Sequence, residues 1–131
     1  MDANEYQKNA LKTESPITED LSDRYGRSFD VAYDLIRELV FIGRRADILK
    51  RWIYYGDDAC KIPERVLTES RQIHYEKEVR LFHALVGKLT ELGELAETFQ
   101  NFMIDGELDG VNLKEELGDD SWYTAIAADV V

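Results

Sequence analysis

Two short acidic patterns hold the side chains of this sequence that are best suited to chemistry. The segment LTELGELAETFQ places Glu91, Glu94 and Glu97 three residues apart, and a later segment repeats the spacing with Glu116 and Asp119. In an α-helix, residues three apart lie one turn apart on the same face. Like charges at that spacing destabilise a helix by about 0.2–0.5 kcal/mol per pair. A cation shared between the two patterns would offset this cost.

The donor types indicate which cation the acids would bind. Four carboxylates are the candidate ligands: Glu91, Glu94, Glu116 and Asp119. Carboxylates suit a hard ion such as Mg²⁺, with Mn²⁺ as the alternative, rather than zinc. A di-iron bundle would place a histidine three residues after a glutamate. His74 and His83 do not meet this rule, because arginines precede them at that distance: Arg71 and Arg80.

Length and composition indicate one acidic domain. The chain has 131 residues, of which 44% are hydrophobic, and a net charge of −11. This charge argues against a nucleic-acid phosphate backbone as the main partner. No apolar run approaches the roughly 18 residues of a membrane span, and the amino terminus is too polar for a signal peptide. The lone Cys60 cannot form an internal disulfide, so we expect a cytoplasmic protein.

The pattern of breaks predicts an all-α bundle of about four main helices and no strand. Within residues 1–27, DANEYQKNALKT is expected to form a short first helix that Asp2 caps, followed by a loop to about residue 27. The helical core, residues 28–131, begins with a long second helix. Ser28 is the expected cap of that helix, and Gly56 is expected to close it.

The third helix begins between Thr68 and Glu78 and contains the first acidic pattern. Its apolar residues advance in alternating steps of three and four, the spacing of a seam that packs on neighbouring helices: Phe82, Leu85, Leu89, Leu92, Ala96, Phe99 and Met103. The glutamates lie roughly opposite this seam, so a solvated surface is the competing interpretation of the acids. Asn112, with Glu115 three residues later, begins the last helix. Residues 1–131 are predicted to form a single domain.

The second and third helices also resemble each other at an offset of 50 residues. Six pairs match: Leu35 with Leu85, Leu39 with Leu89, Gly43 with Gly93, Ala46 with Ala96, Asp47 with Glu97, and Gly56 with Gly106. Either duplication of a helical unit or chance likeness of two amphipathic helices explains the match. The acids do not repeat, because Phe41 and Arg44 stand where the later helix has Glu91 and Glu94.

The two acidic segments together resemble the MazG-like all-α nucleoside triphosphate pyrophosphohydrolases, including their dCTP- and dUTP-hydrolysing relatives. The signature of that family is Glu-Glu-x-x-Glu on one helix and Glu-x-x-Asp on the next. This chain has Thr90-Glu91-Leu92-Gly93-Glu94 and then Glu116-Leu117-Gly118-Asp119. The opening NEYQKNALKT is similar to the start of many phage and bacterial members. The resemblance covers residues 3–13 and 81–129.

The resemblance implies an activity and a set of site residues. Mg²⁺ would be held by the four acids named above, with Glu91 and Glu94 catalytic, while water attacks the α-phosphorus of a nucleoside triphosphate. The products would be a nucleoside monophosphate and pyrophosphate, and the biological use would be nucleotide-pool control or house-cleaning. Tyr123 and Lys114 are the candidate substrate-binding residues, and Trp122 is expected in the core. The active site would lie between helices and be completed in a homodimer or homotetramer.

Two departures from the family pattern keep alternatives open. Thr90 occupies the position of the first glutamate, which favours a catalytically weak or silent nucleotide-binding regulatory protein. The basic phosphate-contacting residues that many relatives carry after the signature helix have no counterpart before Val131. Arg44 and Arg45, or a neighbouring subunit, would have to supply them. A helical scaffold whose acids only solvate the surface is the third alternative.

Overall fold

A computed structural model describes residues 2–57, 59, 62–66, 68–69 and 75–131. This part of the chain is helical and contains no strand, as the sequence predicts. It contains five α-helices and a short 3-10 turn at Glu64–Val66, rather than four main helices. The predictions that concern Cys60, Arg71 and His74 lie outside the described residues.

The chain divides into two compact units, and the first is Met1–Ala32. It contains α1 (Ala3–Thr13), which Asp2 caps as predicted by accepting a hydrogen bond from the Glu5 N–H at 2.8 Å. Where the sequence predicts a loop, a second helix forms, α2 (Glu19–Arg27). Its cap is Thr18, whose hydroxyl accepts a hydrogen bond from the N–H at position 21, at 3.1 Å.

The second unit, Tyr33–Val131, holds most of α3 (Phe29–Tyr55) and all of α4 (Glu76–Asp105) and α5 (Gly110–Val130). Two predicted caps are wrong. The Ser28 hydroxyl donates to a carbonyl of α2 at 3.0 Å instead of capping α3. Asp109, not Asn112, caps α5, because its carboxylate accepts hydrogen bonds from the backbone N–H groups of positions 111 and 112 at 3.1 and 3.0 Å.

Helices α3 and α4 cross at Gly43 and Gly93, with almost no space between their backbones. A Cβ atom on either glycine would lie 2.5 Å from the Cα of the other. It would also lie 3.2 Å from the carbonyl oxygen of Leu89 or Leu39, respectively. These contacts exchange under the offset of 50 residues, so the antiparallel helices are related by a local pseudo-two-fold axis. Of the matched pairs, Gly43 and Gly93 meet at this axis.

Part of the α4 face that carries the acids is buried, and part of the predicted apolar seam is exposed. Thr90 is 2% exposed and Glu91 5%, whereas Leu85 and Leu92 of the predicted seam are 55% and 43% exposed. Only part of the seam is covered within the described residues. Trp122 is 53% exposed, so its predicted place in the core is wrong.

Contacts between α4 and α5 fix the position of the second acidic pattern. The Lys88 ammonium lies 2.6 Å from a carboxylate oxygen of Asp120 and 2.7 Å from the Thr124 hydroxyl. One residue earlier on α4, Gly87 leaves no space for a side chain, because the ring of Tyr123 packs against its backbone. In the part of the chain that the structure describes, no helix is long and apolar enough to cross a membrane.

Replacing Lys88 with Met is expected to lower the free energy of unfolding by about 0.5–1 kcal/mol, because the ion pair with Asp120 is partly screened by solvent. Methionine keeps most of the apolar stem and removes only the charge. Urea unfolding followed by circular dichroism measures the change. Lys114→Met, at an exposed position of α5, is the matched control and should remain within about 0.5 kcal/mol of the wild type. Equal stability of the two variants would contradict the anchoring role.

Candidate metal centre

Three of the predicted ligands come together between α4 and α5. Glu91 and Glu94, one turn apart on α4, meet Glu116 of α5, and one carboxylate oxygen from each lies within 4.8 Å of the other two. Neither helix alone provides this arrangement. The Gly87 and Tyr123 contact brings the helices together one turn before the acids of α4 and two turns after the acid of α5.

Because two of the three carboxyl groups are buried, it is unfavourable for all three to be ionised at once. Glu91 and Glu116 are 5% and 7% exposed, while Glu94 faces solvent. Burial raises the pKa of Glu116 to about 8, with further contributions from hydrogen bonds and negative charge at Glu94 and Glu91. Burial also raises the pKa of Glu91. Near neutral pH the centre therefore keeps a proton on Glu116 unless a cation takes its place.

Asp119, the fourth predicted ligand, lies near this group but is not one of the three acids that meet. Its side chain is exposed. Its negative charge contributes to the raised pKa values of Glu91 and Tyr123, which places it beside the centre.

The donor set fits a hard divalent cation. Carboxylate oxygens at this separation are the ligands that Mg²⁺ and Mn²⁺ prefer. The described histidine, His83, is directed elsewhere: its ring stacks on Tyr54 with centroids 4.0 Å apart, and its Nε2 is buried without a hydrogen-bond partner. Burial and the nearby Lys50 lower the pKa of His83, so the imidazole is neutral at pH 7.

A buried lysine beside the acids is the main feature that sequence reasoning missed. The side chain of Lys50, on α3, is 8% exposed. Its ammonium lies 3.7 Å from Oε1 of Glu91 and 3.5 Å from Oδ1 of Asp47. It also lies 5.5 Å from the centroid of the Tyr123 ring. The available signal was spacing, because Gly43, Asp47 and Lys50 advance by four and three and so share one helix face.

A cavity of about 500 Å³ lies next to the acids. Residues of α3, α4 and α5 line it, among them Arg44, Asp47, Glu94, Glu97, Asn112 and Glu116. The Arg44 guanidinium lies 2.8 Å from Glu97, and the Asn112 amide donates to the Thr98 hydroxyl at 2.5 Å. Arg44 is thus placed to meet a ligand in the cavity.

Other predicted residues lie away from the cavity. Arg45 extends over the ring of Phe41, 5.7 Å from its centroid. Tyr123 is 5% exposed and packs on α4, and neither it nor the exposed Lys114 belongs to the described lining of the cavity. The Thr90 hydroxyl donates to a backbone carbonyl of its own helix at 3.0 Å, and the position adds no carboxylate to the three acids.

Comparison of the chain with protein-family models, with curated proteins and with solved structures gives no match. The likeness to the MazG-like family therefore stays a prediction that depends on the acidic segments.

Proposed function

We propose that this protein is a Mg²⁺-dependent nucleoside triphosphate pyrophosphohydrolase of the MazG-like type, which also accepts Mn²⁺. It would convert a nucleoside or deoxynucleoside triphosphate to the monophosphate and pyrophosphate. The observation that supports this most strongly is the meeting of Glu91, Glu94 and Glu116, because two of these acids, Glu94 and Glu116, line a cavity of about 500 Å³. That volume is within the range of small-molecule sites, about 300–1,000 Å³.

The surroundings of each acid indicate its proposed role. Glu91, Glu116 and the nearby Asp119 would hold the cation together with Glu94. A bound divalent ion offsets the charge of the phosphate oxygens and polarises the phosphorus. Glu94 is the exposed acid and lines the cavity, so its carboxylate is placed to accept a proton from the attacking water. Glu91 is less suited to this step, because Lys50 already pairs with it.

Arg44 is the residue proposed to contact the phosphates. Its ion pair with Glu97 is partly exposed, with side-chain exposures of 67% and 43%, so it contributes little to stability. An incoming triphosphate would compete with Glu97 for the guanidinium, which suits a planar donor that binds phosphate through two hydrogen bonds.

A second copy of the chain is the proposed partner, in a homodimer or homotetramer. The apolar face of the α3 and α4 pair carries two grooves of about 570 and 470 Å³. The offset of 50 residues relates their walls: Ile42 to Leu92, Ala46 to Ala96, Leu49 to Phe99, Val86 to Ile36, and Leu89 to Leu39. Covering such a face with another copy would bury apolar surface that the chain leaves exposed. The cytoplasm is the proposed location.

The test is pyrophosphate release from a panel of dNTPs and NTPs in the presence of Mg²⁺. Wild-type protein should release pyrophosphate from at least one of them, and Glu94→Gln should reduce the rate at least about 100-fold, because it removes both a ligand and the proton acceptor. Glu107→Gln, the same substitution at an exposed acid of the loop before α5, should retain the wild-type rate. Equal rates in the two variants would contradict the assigned site.

A nucleotide-binding protein without turnover is the second candidate, and the burial of Thr90 favours it. The first acid of the family pattern is replaced here by a hydroxyl that is 2% exposed and bonded to backbone. Isothermal titration with the same nucleotides separates the two candidates. Mg²⁺-dependent binding without pyrophosphate release would support the regulator, and no binding to any nucleotide would leave only a helical scaffold.

A further inference from the structure

We propose that the positive charge of Lys50 replaces that of a second divalent ion, so that the centre binds a single Mg²⁺ or Mn²⁺. The inference deepens the proposed function and relies on it only for the assumption that the acids bind a divalent ion. Lys50 is a positioning residue in this scheme, because it acts on a ligand of the ion.

The charge of the buried Lys50 must be compensated by groups of the centre. Removing an ammonium group from water is unfavourable unless opposite charge surrounds it. The side chain is 8% exposed, and the two oxygens near its Nζ come from different helices, Asp47 of α3 and Glu91 of α4. The ammonium also lies over the ring of Tyr123, 5.5 Å from the ring centroid. These neighbours keep the charge in one place.

The position of Lys50 follows from the close crossing of α3 and α4. Gly43, two turns earlier on the same helix, meets Gly93 without space for a side chain. This contact brings the backbone of α3 close to α4, so that a lysine side chain reaches the carboxylate of Glu91. A lysine at this position on a more distant helix would extend its ammonium into water instead.

Charge balance then limits the number of ions. The single charge of Lys50 offsets the charge of Glu91, because the other carboxylate beside it, Asp47, is also paired with Arg51 at 3.7 Å. The charges of Glu94, Glu116 and the neighbouring Asp119 are then left for one dication, which Glu91 also contacts as a ligand. In sites with two metal ions the ions lie about 3.5–4 Å apart. A second ion at that distance near Glu91 would be repelled by the ammonium. Thr90 adds no negative charge to compensate, since its side chain is a neutral hydroxyl that donates to the backbone.

The test counts Mn²⁺ ions bound to the full chain without nucleotide, by isothermal titration and by the electron paramagnetic resonance of free Mn²⁺. Only the Mn²⁺ sites that are lost in the Glu116→Gln variant are counted. This comparison excludes weak binding of Mn²⁺ to surface acids. Wild-type protein should bind one ion. Lys50→Met, which keeps the apolar stem and removes the charge, should bind two, and Lys50→Arg should again bind one. Two ions in the wild type, or one in Lys50→Met, would overturn the proposal.

A folding control keeps the outcome interpretable. Circular dichroism identifies a variant that does not fold, and Lys50→Gln then replaces Lys50→Met with the same expectation.

Because counting ions requires no turnover, the proposed role of Lys50 and the proposed hydrolase activity can be tested separately. A protein that hydrolyses nucleotides and binds two ions in the wild type overturns the first alone, and one that binds a single ion without hydrolysis overturns the second alone. Absence of Mn²⁺ binding would overturn both.

Discussion

Gly93→Ala is expected to lower the free energy of unfolding by about 2–3 kcal/mol, because the added methyl group has no space. A Cβ at this position would lie 2.5 Å from the Cα of Gly43. The neighbour is backbone, so no side-chain rotation relieves the overlap and α3 must move away from α4. The displacement also separates Lys50 from Glu91, so the variant should bind Mn²⁺ with altered affinity even where it remains folded.

Gly118→Ala is the matched control for this substitution. Gly118 lies inside α5, between Glu116 and Asp119, and a Cβ there would meet nothing within 4 Å. Alanine within a helix is favoured over glycine by about 0.8–1 kcal/mol, so the control should be more stable than the wild type. Urea unfolding of the two variants gives opposite signs if the crossing is as close as described. A Gly93→Ala variant at least as stable as the wild type would contradict it.

A double-mutant cycle extends the comparison to both helices. Gly43→Ala should cost about as much as Gly93→Ala, because the contacts of the two glycines exchange under the offset of 50 residues. Once the first methyl group has moved the two helices apart, the second methyl group causes little further displacement of the backbones. The double variant should therefore be more stable than the sum of the single effects predicts, by roughly 1 kcal/mol.

The helical class could be predicted from the sequence, but not every helix. Caps and breaks indicate three of the predicted helices and apolar spacing indicates the third helix, whereas α2 has the sequence EDLSDRYGR and almost no apolar residues. Its signals were local: a threonine cap, acids in the first turn and arginines in the last. The start of α5 was misplaced because Asp109 and Asn112 are both good caps. Only the structure shows which of the two receives the backbone N–H groups.

The candidate site was predictable within each helix and not between helices. Spacing places Glu91 beside Glu94, and Glu116 beside Asp119, but the helical wheel does not tell which face another helix covers. The apolar seam suggested that the acids face solvent. Glu91 is buried instead, while Glu94 stays exposed, because Gly87 and Gly93 let α5 and α3 approach α4 on this side. The role of Lys50 was hidden for the same reason, since its partner Glu91 is 41 positions away in the chain.

Binding of Mn²⁺ is expected to weaken about 50-fold between pH 8 and pH 6, and the loss approaches tenfold for each further pH unit as the pH falls. Burial and the neighbouring Glu94 and Glu91 raise the pKa of Glu116 to about 8. Below that pH the carboxyl group holds a proton, and the ion must displace it to bind. Isothermal titration at pH 6, 7 and 8 measures both the affinity and the proton released. A flat affinity over this range would contradict a protonated Glu116 at the centre.

The same carboxyl group should make the metal-free protein less stable as pH rises from about 5 to 8. An unfolded Glu116 ionises near its ordinary pKa of 4.5, whereas the folded one keeps its proton to about pH 8. Between these values the folded state binds more protons, so raising the pH favours unfolding. The lowered pKa of His83 gives a slope of opposite sign, confined to pH values below about 6.5. Wild type and Glu116→Gln share that slope, so the difference between their thermal melts in chelator reports Glu116 together with the Glu91 carboxyl group that hydrogen-bonds to it. We expect the difference to grow up to about pH 8 and added Mn²⁺ to reduce it, because the cation then supplies the positive charge that the proton provided.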